Sequence, residues 1–132
     1  MGLKSKLSIL FAKVIVSQQK KWMDNPLQTA RSDFDKLISK GKNTAFGKDH
    51  HFDSIENYDD FKERVPIRDY EGLKPYIERI INGEKDVLWP GSPLYLCKTS
   101  GTTSGTKYIP LTKDSMPNHI HSARNALLHY IV

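Results

Sequence analysis

Apolar residues recur at three- and four-residue intervals through the first 40 positions, which is the spacing of one face of an α-helix. The second of two such series runs from Leu27 to Ile38 and stops at Gly41, a residue that suits a helix C-terminus. Asn25-Pro26 separates it from the first series, which predicts an amphipathic helix through Leu3, Leu7, Leu10, Phe11 and Val14. Residues 1–40 are therefore predicted to be a helical lead-in.

Residues 41–93 are predicted to form a second helical segment. The polar and small residues from Asn43 to Phe52 are typical of a loop. Asp53 and Glu56 have the spacing of a capping box and predict the start of a short helix that runs to about Arg64.

A longer helix is predicted to follow, with Asp69 as its N-cap and Asn82-Gly83 as its exit. Pro75 falls within its first two turns, which is tolerable only if the helix starts late. The apolar face of this helix is predicted to consist of Leu73, Ile77, Ile80 and Ile81.

Residues 94–132 have a different character, which begins after the turn cluster Trp89–Pro93. Leu94–Thr99 predicts a buried strand and Tyr108–Leu111 a second one, so the two are expected to form a hairpin around a loop of Gly, Ser and Thr. Asp114 or Thr112 is expected to cap a last helix, and the sequence stops inside its apolar pattern. We therefore expect an α+β fold that is an incomplete portion of a larger protein.

Composition narrows the class of protein. The chain has 132 residues, 38% hydrophobic and 27% charged, which bounds it to one ordinary globular domain. The formal charge of +5 comes mostly from the N-terminal 50 residues, and no nucleic-acid-binding motif accompanies it, so no nucleic-acid partner is predicted.

The lone cysteine, Cys97, excludes an internal disulfide and fits a reducing compartment, so a cytoplasmic protein with a buried strand thiol is expected. Lys13 interrupts the first apolar stretch, no signal-peptide cleavage site follows it, and no stretch is long enough to span a bilayer, so no membrane partner is predicted. No metal site is predicted either, since His119 and His121 would point to different faces of a helix.

The loop between the predicted strands carries the chemistry. Glycines let the backbone approach an anion closely, hydroxyl and N–H groups donate to phosphate oxygens, and a lysine adds positive charge. A flexible linker or a plain hairpin turn is the alternative, although a linker lacks flanking β-prone runs. The predicted phosphate-binding residues are Ser100, Gly101, Thr102, Thr103, Ser104, Gly105, Thr106 and Lys107.

This loop is not a Walker A motif, because only three residues separate Gly101 from Gly105 and Thr106 precedes Lys107. It resembles the phosphate loop of the adenylate-forming superfamily, and its departures from the common pattern resemble the GH3 branch, in which a Lys and a Pro follow, here Lys107 and Pro110. The resemblance extends over about residues 41–117 and includes four stretches upstream of the loop, Gly41–Gly47, Val65–Glu71, Lys74–Ile80 and Asn82–Glu84.

The GH3 resemblance implies an ATP- and Mg²⁺-dependent acyl-acid amido synthetase, which converts a carboxylic acid to an acyl-adenylate and passes the acyl group to an amino acid. By resemblance, the hydroxyl side chains of the loop would bind the β- and γ-phosphates, the glycines would supply backbone shape and Lys107 would add charge. The Mg²⁺ ligand and the remaining motifs of the family would come later than this sequence, so this chain alone is expected to be inactive.

Two other classes remain open from the residues alone. A freestanding module could bind a nucleotide or phosphate through the loop without turnover. A helical protein-interaction module could instead use the first helix, with the loop incidental. Replacing the loop glycines separates these readings, because it leaves partner binding unchanged only in the last one.

Overall fold

The structure is a computed structural model that describes residues 2–100 and 105–131. Within these residues the chain is rich in helices, with a two-stranded antiparallel hairpin before the last helix, which confirms the predicted α+β class. The elements in chain order are α1 Leu3–Asp24, α2 Pro26–Gly41, α3 Ala45–Asp49, a 3₁₀ turn Phe52–Ser54, α4 Tyr58–Arg64, α5 Tyr70–Ile81, β1 Tyr95–Lys98, β2 Tyr108–Leu111 and α6 Met116–Ile131.

The chain divides into two compact units, the first of which comprises residues 2–33 and 114–131 of the described part. In this unit α1 packs against α6, with Ala12 fully buried and Leu128 8% exposed. The side chains whose period predicts α1 stay on the surface: Leu7, Leu10, Phe11 and Val14 are 50% to 61% exposed. The period therefore predicts the helix correctly, but the side of α1 that is buried within this unit is a different one. No helix in the described part of the chain is both long and apolar enough to cross a bilayer.

The second unit comprises residues 34–113 and contains α3, α4, α5 and the hairpin. Its first feature, α3, corrects the prediction of a loop over residues 43–52. Thr44, only 1% exposed, caps this helix by accepting a hydrogen bond from the Gly47 N–H at 3.0 Å and donating its hydroxyl to the Gly41 carbonyl at 2.7 Å. Gly47 lies against Gly41 so closely that a Cβ there would overlap the Gly41 carbonyl oxygen.

The helix α4 ends near Arg64 as predicted, but its cap is not the predicted pair of Asp53 and Glu56. Asn57 is the N-cap and forms a capping box with Asp60, which has the same three-residue spacing. The residues around Asp53 instead form the 3₁₀ turn. Two pairs of residues in the sequence have this capping-box spacing, and the second pair, Asn57 and Asp60, caps the helix.

The helix α5 supplies the core of the second unit. Asp69 caps it as predicted, with its carboxylate accepting from the Gly72 N–H at 2.9 Å. It begins at Tyr70, so Pro75 lies inside it and the expectation of a late start is wrong. Ile77 and Ile80 pack with Val87, and the partly buried residues around them are Ala45, Tyr70, Tyr76, Leu88 and Tyr108.

The turn before the hairpin is closed by two hydrogen bonds between Asp86 and Gly91. The Asp86 N–H donates to the Gly91 carbonyl at 3.0 Å, and the Gly91 N–H donates to the Asp86 carboxylate at 2.6 Å. Gly91 has a φ of 80°, which favours glycine. The predicted turn at Trp89–Pro93 is therefore confirmed.

The strand β1 forms as predicted but is not buried. All four of its residues are exposed, including Cys97, which corrects the expectation of a buried thiol. The strands are exposed because the rest of the unit covers only part of the hairpin. The strand β2 contacts α5, with Tyr108 against the core, whereas Tyr95 and Ile109 remain 61% and 49% exposed. An uninterrupted apolar run predicts burial on both faces, which these two strands do not have within the described residues.

Candidate phosphate-binding loop

The hairpin brings the two ends of the candidate loop together. Tyr95 pairs with Leu111 at its open end and Lys98 with Tyr108 near the loop. One hydrogen bond continues the pairing beyond the strands, from the Thr99 N–H to the Lys107 carbonyl at 2.9 Å. Thr99 and Lys107, which flank the candidate loop, are therefore neighbours at this end of the hairpin.

The structure locates four of the eight predicted phosphate-binding residues. Ser100, Gly105 and Thr106 are exposed at the tip, and Lys107 is half-buried at the start of the return strand. The other four lie outside the described residues: Gly101, Thr102, Thr103 and Ser104.

Gly105 has the backbone conformation that a glycine-dependent loop requires. Its φ is 78°, a region that L-residues with a side chain adopt only with strain. A Cβ at Gly105 would meet no described atom within 4 Å, so packing against the described residues does not account for the glycine. The conformation of the backbone does.

Lys107 is held by Tyr70, the first residue of α5. The Lys107 Nζ lies 5.5 Å from the centre of the Tyr70 ring, which is within the range of a cation–π interaction. The Tyr70 hydroxyl oxygen also accepts a hydrogen bond from the Tyr108 N–H at 2.9 Å. The sequence analysis did not identify Tyr70, and no local signal marks it, because it precedes its partners by almost 40 residues.

The chemistry of the loop suits an anion. Residues 99–107 contain hydroxyl side chains, glycines and one lysine, and they contain no carboxylate. Hydroxyls, backbone N–H groups and ammonium groups all donate to phosphate oxygens. Metal coordination has no comparable candidate, since no group of three His, Cys, Asp or Glu side chains within residues 2–100 and 105–131 is arranged to hold an ion.

A small apolar cleft lies elsewhere on the hairpin. It has a volume of about 130 Å³, and its lining includes Val87, Trp89, Pro93, Pro110 and Thr112. Pro110 and Thr112 lie toward the open end of the hairpin, away from residues 100–106. This volume is well below the range of about 300–1,000 Å³ that is usual for small-molecule pockets. Its lining includes none of the predicted phosphate-binding residues that the structure describes.

Comparison with known proteins identifies the family. Residues 15–131 match the GH3 family N-terminal domain. The chain belongs to the GH3 family. The match begins earlier than the resemblance drawn from the motifs, which covered residues 41–117, and it includes part of α1 and all of α6. For this GH3 chain, the family assignment rests on most of its length and not on the loop alone.

Three relatives of this GH3 chain come from rice and Arabidopsis. Probable indole-3-acetic acid-amido synthetase GH3.13 of Oryza sativa subsp. japonica is 47% identical over 58 residues, which are 42% of this chain and 12% of the rice protein. Indole-3-acetic acid-amido synthetase GH3.15 of Arabidopsis thaliana is 42% identical over 62 residues, 46% of this chain and 10% of its own length. The Arabidopsis synthetase GH3.2 is 29% identical over 94 residues, 70% of this chain and 17% of its own length. The chain thus spans less than a fifth of the length of these relatives.

Proposed function

We propose that this chain is the phosphate-binding portion of an ATP-dependent acyl-acid amido synthetase. The observation that carries the proposal is the joint occurrence of the GH3 family match with a hydroxyl- and glycine-rich loop at the tip of a hairpin. The relatives are named amido synthetases, which supports a carboxylic acid and an amino acid as the substrate classes. The proposal includes ATP as the cosubstrate and the cytoplasm as the compartment.

The proposed reaction has two steps. A carboxylate oxygen of the acid attacks the α-phosphorus of ATP, the bond to the β-phosphate breaks, and pyrophosphate leaves. The amine nitrogen of the amino acid then attacks the acyl carbon of the adenylate, AMP leaves, and the amine releases a proton. The first step brings an anion to a polyanion, so neutralising and aligning the triphosphate lowers its barrier.

The loop residues would carry the alignment. Ser100, Thr102, Thr103, Ser104 and Thr106 would donate hydroxyl hydrogen bonds to the β- and γ-phosphates, and Lys107 would add a positive charge. Gly101 and Gly105 would let the backbone N–H groups approach the phosphate oxygens, and the left-handed φ of Gly105 supports this role. Mg²⁺ would accompany the nucleotide, and residues 99–107 offer it no carboxylate ligand.

Calorimetric titration with ATP·Mg²⁺ tests the proposal on two matched glycines. Gly105 and Gly83 have φ values of 78° and 88°, and a Cβ at either meets nothing within 4 Å. Alanine at either site therefore introduces similar backbone strain, of about 1–2 kcal/mol, but only Gly105 lies in the loop. We expect Gly105→Ala to weaken binding by roughly five- to thirtyfold and Gly83→Ala to leave it unchanged.

A charge pair gives a second comparison in the same titration. Lys107→Gln should weaken ATP binding, whereas Lys98→Gln, which removes a charge from the neighbouring strand β1, should have a smaller effect. Failure of the unaltered chain to bind ATP·Mg²⁺ would contradict the proposal for this chain. Equal losses at Gly83 and Gly105 would indicate a general loss of stability and not a phosphate loop.

A further inference from the structure

Tyr70 connects the core of the second unit to the end of the candidate loop. Its side chain is half-buried and packs against the cluster of Ile77, Ile80 and Val87. The same side chain contacts the loop end twice, through the hydroxyl oxygen at 2.9 Å from the Tyr108 nitrogen and through the ring at 5.5 Å from the Lys107 Nζ. Tyr70 therefore connects the packed core to the Tyr108 backbone and to the Lys107 ammonium group.

The two ends of the loop are fixed in different ways. At the outgoing end, the Thr99 N–H donates across the hairpin to the Lys107 carbonyl at 2.9 Å. At the returning end, the Tyr108 N–H donates to the Tyr70 hydroxyl on α5. The helix itself is anchored at that point, since Asp69 caps its first turn. The returning end thus takes its position from α5 through Tyr70.

A lysine on a surface strand has a long and mobile side chain, which loses rotamer freedom when it binds a phosphate. An aromatic ring beneath the ammonium group restricts that freedom before the ligand arrives. Preorganisation of this kind increases affinity, because less entropy is lost on binding.

We propose that Tyr70 is a positioning residue that holds Lys107 toward the triphosphate of the nucleotide. The inference rests on the proposed function, and it assigns separate roles to the two parts of the side chain. The ring restrains the Lys107 ammonium group, and the hydroxyl fixes the backbone from which that lysine extends. Tyr70 itself does not contact the ligand.

The test is calorimetric titration of the full chain with ATP·Mg²⁺, using Tyr70→Phe, Tyr70→Leu, Lys107→Gln and the double variant Tyr70→Leu/Lys107→Gln. Tyr70→Phe keeps the ring and removes the hydroxyl, whereas Tyr70→Leu removes both. Tyr76→Phe is the matched control, because Tyr76 lies on the same helix and packs against the same core. Its hydroxyl donates a hydrogen bond to the Asp49 carboxylate at 2.8 Å, away from the loop.

We expect Tyr70→Leu to weaken binding by roughly three- to tenfold and to add almost nothing once Lys107 is replaced, since the ring acts through that lysine. Tyr76→Phe should bind as the unaltered chain does. Tyr70→Phe should speed amide hydrogen exchange at Tyr108, which loses its acceptor, and should weaken binding by about two- to threefold. A purely structural role would not couple the loss at Tyr70 to Lys107.

The outcomes separate the two claims. If the unaltered chain binds ATP·Mg²⁺ and both Tyr70 variants bind it equally well, the positioning role is overturned. The same holds if the losses of binding free energy at Tyr70 and Lys107 simply add. Either result leaves the proposed function standing. Absence of binding by the unaltered chain overturns both. If Tyr70→Leu does not fold, as judged by circular dichroism, Tyr70→Phe decides the matter through affinity and Tyr108 exchange.

Discussion

Gly47 gives the sharpest test of how the second unit is built. In an ordinary helix Gly→Ala stabilises, because alanine is the better helix former by about 1 kcal/mol. At Gly47 we expect the opposite sign. A Cβ there would overlap the Gly41 carbonyl oxygen and lie 2.9 Å from the Gly41 carbonyl carbon and 3.0 Å from the Lys42 Cα. All these atoms belong to the backbone and cannot rotate away.

The size of the effect follows from these contacts. Carbon atoms in contact are usually about 3.5–4.0 Å apart, so the chain at Gly41 and Lys42 must retreat by roughly 0.5–1 Å. Forced packing of this kind costs about 1–3 kcal/mol. The retreat also disturbs the 2.7 Å bond from the Thr44 hydroxyl to the Gly41 carbonyl, worth about 0.5–1.5 kcal/mol. After the propensity gain of about 1 kcal/mol, we expect Gly47→Ala to lower the free energy of unfolding by about 0.5–3.5 kcal/mol.

Urea unfolding followed by Trp89 fluorescence measures this change. A Trp22→Phe background confines the signal to the unit that contains Gly47, because Trp22 belongs to the other unit. With an m-value of about 1.5 kcal/mol/M, the urea midpoint should fall by roughly 0.3–2.3 M. Gly72→Ala is the control, since the three atoms nearest to a Cβ there are side-chain carbons of Arg68, at 3.1–3.5 Å, and none of them is a backbone atom. A Gly47→Ala variant as stable as the unaltered chain would refute the packing argument.

Two further predictions concern capping residues of the same unit. Thr44→Val should lower the free energy of unfolding by about 1–3 kcal/mol, because it leaves the buried Gly47 N–H without its acceptor. Thr44→Ser keeps the hydroxyl and should lower it less. The same urea assay measures both variants. Backbone donation from Glu56 is the main reason that the pKa of Asp60 lies below its ordinary value of 3.8. Its contribution to stability is therefore complete above that pH and disappears as the pH falls through the lower folded-state value. Stability curves between pH 2 and 6 should show this dependence diminished in Asp60→Asn, and curves of identical shape would contradict it.

Local sequence signals predict the elements that are long or clearly punctuated. The apolar period and Asn25-Pro26 locate α1 and α2, and Asp69 correctly predicts the start of a helix. The hairpin follows from two β-prone runs around a glycine-containing loop. Each of these signals lies within the element that it predicts, so no knowledge of distant contacts is needed.

The features that the sequence predicts wrongly, a loop in place of α3 and a late start of α5, depend on distant partners. The five residues of α3 carry no apolar period, and the Ala45 and Phe46 N–H groups donate to the carbonyls of Asp86 and Val87 at 2.7 and 2.9 Å. The N-terminal turns of α5 contain Pro75, which removes one ladder hydrogen bond, yet Tyr70 ties them to β2. Separations of about 40 residues produce no local pattern.

The candidate loop shows the same division between local and distant information. Its composition and its place between two strands are visible in the sequence, and so are all eight predicted phosphate-binding residues. The residue that holds its returning end is not, because Tyr70 looks like an ordinary helix-start aromatic. Solvent exposure of Cys97 was missed for a related reason: an apolar run does not reveal how many faces of a strand will be covered.

The GH3-like stretches of the sequence, far apart along the chain, are neighbours in the structure. The segment Gly41–Gly47 contains two residues, Ala45 and Phe46, whose N–H groups donate to the carbonyls of Asp86 and Val87. Val87 packs with α5, and α5 holds the returning end of the loop through Tyr70. The spacing that resembles the family is therefore the spacing of one continuous support beneath the loop. Under this reading, a change at Gly47 that leaves the unit folded but shifts α3 should also weaken the hold on Lys107, although Gly47 lies far from it in sequence.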